Sequence, residues 1–253
     1  MPWDPEQYEK FKQERYLPFE DLARLIDGRP GLRAVDLGCG TGELTLRLAG
    51  LLPESDVTGI DSSPEMLERA RALERPGLRF EQGRIEDAAG EWDLVFSHAA
   101  IHWVDDHEAL VPRLLSMVRP GGQIAVQTPS NFSHPTHTLI EEVGREEPFR
   151  AALGGWSRRW PVLDVPSYAE LLFAHGGRDL TVFDKVYPHV LPDADALAEW
   201  MSGTALVPWF ERLPAELREP FLERYRERLR ERWPATPVFF GFKRTLFVVR
   251  RGA

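Results

Sequence analysis

The stretch "AVDLGCGTGE", residues 34–43, carries a short apolar run into three alternating glycines, Gly38, Gly40 and Gly42. A chain gives up side chains this densely where the backbone must turn with positive φ, or where something must touch it closely. A helical pattern, "ELTLRLAGLL", begins at residue 43 and is closed by Pro53. A buried strand, a glycine turn and a helix in that order describe a loop at the carboxyl end of a parallel strand, where open α/β sheets bind ligands. The helix start also offers unpaired N–H groups and a partial positive charge.

The pattern continues outward from this loop. "DVTGID" (56–61) is predicted as a second strand and "SPEMLERARAL" (63–73) as a second helix, with Ser63 as N-cap and Pro64 at the first helical position. "LRFEQG", "WDLVFSH" and "GGQIAVQTP" are three further strands, with a helix in "HEALVPRLLSMV". Strand alternating with helix over 32–128 implies right-handed βαβ units and a parallel sheet. Beyond it, residues 145–166 mix aromatics, arginines, Gly and Pro and are expected to form a long functional loop with short helical pieces. "SYAELLFAHGG" is predicted as a helix and "DLTVFDKVYPHVL" as a strand. Residues 193–233 are predicted as helices, and "FKRTLFVVRR" closes the chain as a strand.

The 253 residues suit one α/β domain with an elaboration or two small domains, and the 43% hydrophobic, 28% charged composition is that of an ordinary globular chain. One cysteine, Cys39, excludes an intrachain disulfide and fits a reducing compartment. "MPWDPEQYEK" lacks the basic-then-apolar pattern of a signal peptide, and no window reaches the ~18 apolar residues of a membrane span, so a cytoplasmic location and no membrane partner are expected. A net charge of −9 argues against nucleic acid as a partner. A monomer or weak homodimer is expected.

The ligand can be read from spacing. A nicotinamide dinucleotide site wants G-x-G-x-x-G, but here Glu43 stands where the third glycine belongs and would repel a pyrophosphate. Asp61 comes after the loop at roughly the 20-residue offset at which a carboxylate accepts ribose hydroxyls. A nucleoside without phosphates is the consistent ligand. No Cys–His, His–Asp or metal-ligand constellation has convincing spacing. His102 with His107, and His134 with His137, read as hydrogen-bonded or solvated histidines, and Cys39 as a small buried side chain rather than a nucleophile.

"VDLGCGTG" together with "GIDSSPEML" resembles the class I S-adenosylmethionine-dependent methyltransferases. The resemblance implies an α/β fold, a Rossmann-like seven-stranded, mostly parallel sheet with a reversed final hairpin, here with a helical cap insertion. The expected division is an N-terminal helical lid over 1–30, the cofactor-binding domain over 31–190 and 238–253, and the cap over 191–237. S-adenosylmethionine is the implied cofactor. The implied contacts are Asp36 and Gly38, Gly40 and Gly42, which give its methionine part room, Asp61 at the ribose, Ser62 and Met66 beside the adenosine, Arg84 and Ile85 after the third strand, and His98 after the fourth. Arg84 departs from the pattern, which has an acidic residue there for the adenine amine.

"WDPEQYEKFKQERYLPFEDL", "SHAAIHWVDDH", "PGGQIAVQTPSNFSHPTHTLI" and "FVVRR" further resemble one subfamily, the trans-aconitate 2-methyltransferases. The implied substrate is a small polycarboxylic acid. A carboxylate is ionised at pH 7 and needs no general base, so no catalytic side chain is expected beyond positioning. A cationic pocket is needed instead, with arginine preferred for its planar fork. The candidates are Arg15, Arg158, Arg159 and Arg244, with Tyr8, Trp103, Asn131 and His134 on the ligand side. Tyr8, Phe11 and Arg15 share one helical face, an arrangement suited to a lid. A phenol or amine acceptor, or a non-catalytic cofactor-binding protein, are the alternatives.

Overall fold

The computed structural model describes residues 13–252 of the chain. Seven strands form one sheet in the order β3-β2-β1-β4-β5-β7-β6. They are β1 (Arg33–Leu37), β2 (Asp56–Asp61), β3 (Leu78–Gln82), β4 (Trp92–His98), β5 (Val118–Pro129), β6 (Gly177–Leu191) and β7 (Val238–Arg251). β1 pairs in parallel with β2 and β4, and β2 with β3 and β4 with β5 likewise. β7 runs antiparallel to β5, Pro129 facing Arg244 and Gln127 facing Leu246, so the expected reversal of the last strand is present. The order turns back between β1 and β4, which makes the carboxyl ends of these strands the ligand end.

The chain divides into two compact units. The sheet unit takes in residues 13–130, 161–185 and 244–252, and the other, here the helical unit, includes Asn131–Trp160 and Val186–Lys243. The helical unit thus takes in 131–160 as well as the 191–237 segment in which the sequence predicts a cap.

In the sheet unit, successive strand residues alternate between two apolar layers, as a pleat requires. Val35, Val95, Ile124, Val126, Phe247 and Val249 pack with helix α4 (His107–Ser116) and with Tyr168 and Leu172 of α7 (Val165–Ala174). Ala34, Val57, Leu94, Phe96, Ala125, Leu246 and Val248 face the other way, against Phe19 and Leu22 of α1 (Gln13–Ala23), Leu48 of α2 (Glu43–Leu51) and Leu67 of α3 (Pro64–Arg71). Near-continuous apolar runs such as "DLVFS" arise because both faces are covered. Phe19 and Leu22 are fully buried, so the second half of α1 belongs to this core. The Ser63 hydroxyl accepts from Met66 N–H, and Pro64 sits at the first turn of α3, as predicted.

The helical unit has its own core, built from α5 (Pro135–Gly144), α8 (Ala194–Ser202), α9 (Val207–Arg212) and α10 (Ala215–Arg232). Trp209, Phe221, Tyr225 and Phe240 lie at its centre. A Cβ at Gly144 would fall 2.2 Å from the Trp209 ring, so the indole rests directly on the helix backbone. Ion pairs bind α10 to α5 and to the turn just after it, Arg228 to Glu142 at 3.3 Å and Arg224 to Glu146 at 2.6 Å. Among the described residues no helix is long and apolar enough to cross a membrane.

Candidate cofactor and acceptor site

The glycine loop leaves β1 with φ of +79° at Gly38, +55° at Gly40 and +79° at Gly42. Gly38 and Cys39 N–H both donate to Ile60 O, at 2.8 and 3.0 Å, and Gly40 N–H donates to Asp61 Oδ2 at 2.8 Å. The loop is therefore pinned along the end of β2. The space beside two of its glycines is filled by protein. A Cβ at Gly38 would lie 2.2 Å from that of Ala100, and one at Gly42 would lie 2.7 Å from the Phe80 ring and 2.9 Å from Ala70. The side that a Cβ would occupy at these two positions is closed by protein, so the ligand contact expected of them falls to the loop's backbone. Their bare backbone admits the loop after β4, the β3 side chain and the third helix, besides supplying the left-handed turn.

Two carboxylates stand at this end of the sheet. Asp36 is buried on β1, on the face of α2, where its Oδ2 accepts from Thr45 Oγ1 at 2.6 Å. Its Oδ1 is buried without a hydrogen-bond partner. Burial pushes this carboxyl up to about 7; the Thr45 bond pulls it partly back, and the charge of Asp61 adds to the rise. Asp61 is half-buried at the end of β2, accepting from Gly40 N–H on one oxygen and from Ser63 N–H, at 2.9 Å, on the other. It clamps the glycine loop to the start of α3. Cys39, between these two acids, has its thiol driven far up by burial, then by Asp36 and Asp61, and stays protonated. It is a buried structural thiol.

An orphaned buried carboxylate oxygen beside a second acceptor fits a ligand that brings positive charge and N–H or O–H donors. The methyltransferase-domain family matches residues 29–159. The trans-aconitate 2-methyltransferase of Deinococcus radiodurans is 46% identical over 99% of this chain and 99% of its own.

The chain belongs to the class I S-adenosylmethionine-dependent methyltransferases.

Two solved structures share its fold. The YcgJ protein of Bacillus subtilis superposes with a TM-score of 0.61 at 16% identity, covering 94% of this chain and 99% of that one. Phosphoethanolamine N-methyltransferase 2 of Haemonchus contortus, solved with S-adenosyl-L-methionine, gives 0.55 at 16% identity over 94% and 53%. The cofactor of the methyltransferase is S-adenosylmethionine, a sulfonium cation with an ammonium group and ribose hydroxyls, which the two acids suit.

The remaining expected cofactor positions lie in the same unit of the methyltransferase. Met66 is buried in the first turn of α3, and Ser62 is exposed just before it. Arg84 is exposed and turned onto Glu86, its Nε donating at 3.2 Å. Ile85 opens a short 3-10 turn, packs against the core, and its carbonyl accepts from Arg113. His98 is buried at the end of β4, its ring edge-on to Phe19.

The structure brings His98 together with one acceptor candidate. Arg244 is buried where β7 meets the end of β5, and both it and His98 contact the amide of Gln127. Gln127 was missed from the sequence. Its only sequence signal is an amide side chain within the apolar run "QIAVQTP"; its full burial is seen in the fold. Trp103, half-buried on a 3-10 turn after β4, lies against His102 in the same unit. His107 is structural: its Nε2 is 2.9 Å from Ile101 O and its Nδ1 faces the Tyr168 hydroxyl. Burial lowers its pKa.

Four acceptor candidates lie in the helical unit. Asn131 is buried, its Oδ1 accepting from Lys243 N–H at 3.2 Å while its Nδ2 has no partner. His134 caps α5 through its ring nitrogen, stacked on Trp233. Arg158 lies over the Trp160 ring, and Arg159 is exposed. His137 is a buried neighbour whose pKa is depressed to about 3 by burial, then by His134. Tyr8 and the side chain of Arg15 lie outside the described residues, and with them the proposed face of the lid. Among the described residues no group of three His, Cys, Asp or Glu side chains could hold a metal ion.

Proposed function

We propose that this methyltransferase esterifies one carboxylate of a small polycarboxylic acid, with trans-aconitate as the first acceptor to test. The observation that carries the reading is Arg244, a buried cation on the ligand end of the sheet in a protein of net charge −9. A buried guanidinium at the rim suits a carboxylate, which it can pair through two parallel N–H bonds. The name of the 46%-identical relative supports the same acceptor. When bound, the cofactor supplies an electrophilic methyl group on a sulfonium. The protein's share is to hold an ionised carboxylate oxygen in line with it and to keep water out. An acceptor oxygen that is already ionised would ask none of these residues to remove a proton. Methyl transfer from labelled cofactor across a panel of di- and tricarboxylates, phenols and amines tests the proposal; transfer only to phenols or amines overturns it.

For the cofactor, we assign Asp36 to the ammonium group and Asp61 to the ribose hydroxyls. Asp61→Ala then weakens cofactor binding by about 1.5–3 kcal/mol, the range for hydrogen bonds to a charged group. Asp61→Asn should do little better, because its NH₂ would confront the N–H of Gly40 or Ser63, both donors. Calorimetric titration reads both. Wild-type affinity in folded variants would remove Asp61 from the site.

The pKa of Asp36 gives affinity a pH dependence. A positively charged ligand favours the ionised carboxylate, so binding releases a proton wherever Asp36 is neutral in the free enzyme. Affinity should fall as pH drops through about 7, approaching tenfold per pH unit on the acid side. For the free enzyme the sign is opposite. A folded pKa above the unfolded value favours the protonated fold, so this residue's contribution to stability declines as pH rises from about 4 to about 7. Titrations in buffers of different ionisation enthalpy count the proton. A pH-independent affinity would separate Asp36 from the cofactor.

A further inference from the structure

Gln127 is fully buried at the end of β5 between His98 and Arg244. Its neighbours fix the amide. Thr128 N–H is a backbone donor, so the Gln127 oxygen faces it, at 3.1 Å, and there also accepts from Arg244 Nη1–H at 3.0 Å; Arg244 Nη1 lies 3.3 Å from the other amide atom and does not decide between the two. The nitrogen then lies 3.0 Å from His98 Nε2 and donates to it. An imidazole nitrogen that accepts a hydrogen bond carries no proton, so the neutral ring holds its proton on Nδ1.

We propose that Gln127 is a specificity-determining residue, which locks His98 in the Nδ1–H tautomer and holds Arg244 at the rim, so that this end of the sheet offers a cation and no general base. A phenol or an ammonium acceptor, with a pKa of about 10, must lose a proton before or during methyl transfer. His98 cannot take it: the Nε2 lone pair is engaged by Gln127, and Nδ1 is protonated. A carboxylate has no proton to lose and gains from the guanidinium. One amide thus favours the acid over the other acceptors by withholding a base and presenting a charge. The inference rests on the proposed function, in which Arg244 meets the acceptor.

The test has two arms. Long-range ¹⁵N–¹H correlation on the wild-type enzyme, with the His98 signals assigned by their loss in His98→Gln, reports the tautomer directly among the seven histidines. The expected result is an Nδ1–H ring at pH 7.5; an Nε2–H ring overturns the proposal whatever the acceptor is. The second arm is Gln127→Glu, whose carboxylate would pair with Arg244 and draw a proton to His98 Nε2. With trans-aconitate as probe, its KM should rise at least tenfold while kcat changes less than threefold, and the His98 signals should move to a form protonated on Nε2. A folded Gln127→Glu enzyme with wild-type KM overturns the proposal. A wild-type enzyme that methylates no carboxylate overturns the functional reading instead, and the NMR arm still decides the lock.

Discussion

Gly38→Ala should destabilise the enzyme by about 2–5 kcal/mol, measured as a loss of denaturant midpoint. The sum has two parts. A side chain in a left-handed conformation costs about 1–2 kcal/mol, and Gly38 has φ +79°. Overpacking a closed site costs about 1–3 kcal/mol more, and the new methyl would meet the Ala100 methyl at 2.2 Å, a separation that forces one of the two to move. The two parts separate by a second substitution. Ala100→Gly in the Gly38→Ala background removes the collision but not the backbone strain, so roughly half the loss should return. No rescue would mean that the turn conformation alone requires glycine. A Gly38→Ala enzyme of wild-type stability would mean that the loop after β4 yields freely, against the close packing seen there.

The second large effect belongs to Arg244. Arg244→Ala should lower kcat/KM for a carboxylate acceptor about 100-fold, equivalent to about 2.7 kcal/mol, within the range of a charged hydrogen bond lost from a buried site. Arg244→Lys should recover only part of it, since a point charge does not reproduce a planar fork. Cofactor affinity, measured by calorimetry, shows whether the sheet end is intact. Because Arg244 also donates to Gln127, partial rescue of Arg244→Ala by added ethylguanidinium would show that the charge itself is required. Wild-type kinetics in Arg244→Ala would move the anion site to other cations, with Arg158 and Arg159 the next to replace.

How much of this was legible in the sequence depends on how local each cause is. Strand–loop–helix repeats show in apolar runs and punctuation, so the strands through β5, the cap at Ser63 and the glycine turn could be read along the chain. The reversed strand was implied by the family resemblance and is present. The reason for Gly38 and Gly42 could not be read, because the atoms that fill their space belong to Ala100, Phe80 and Ala70, remote in sequence. Asp61 reads as a ligand residue by its offset, but its two bonds to backbone N–H groups depend on how two loops approach each other. Helix α5 is masked in the sequence by a stretch rich in turn residues, and its marks, His134 as cap, Pro135 at the first turn and apolar Ile140 and Val143, gain their meaning from the burial of that face. Gln127 escaped because an amide in an apolar run shows its purpose only when its partners, on two other strands, are known.

The burial of Cys39 has a practical consequence. The chain has a single thiol, and it sits inside the glycine loop, buried and protonated. A thiol-specific reagent in solution therefore has one target, and can reach it only when the loop swings open or the whole unit unfolds. Slow labelling in native buffer then works as a stopwatch for such excursions, with no engineered probe and no background from other cysteines. Any compound that settles against the loop registers as a longer labelling half-time, whether or not it is turned over.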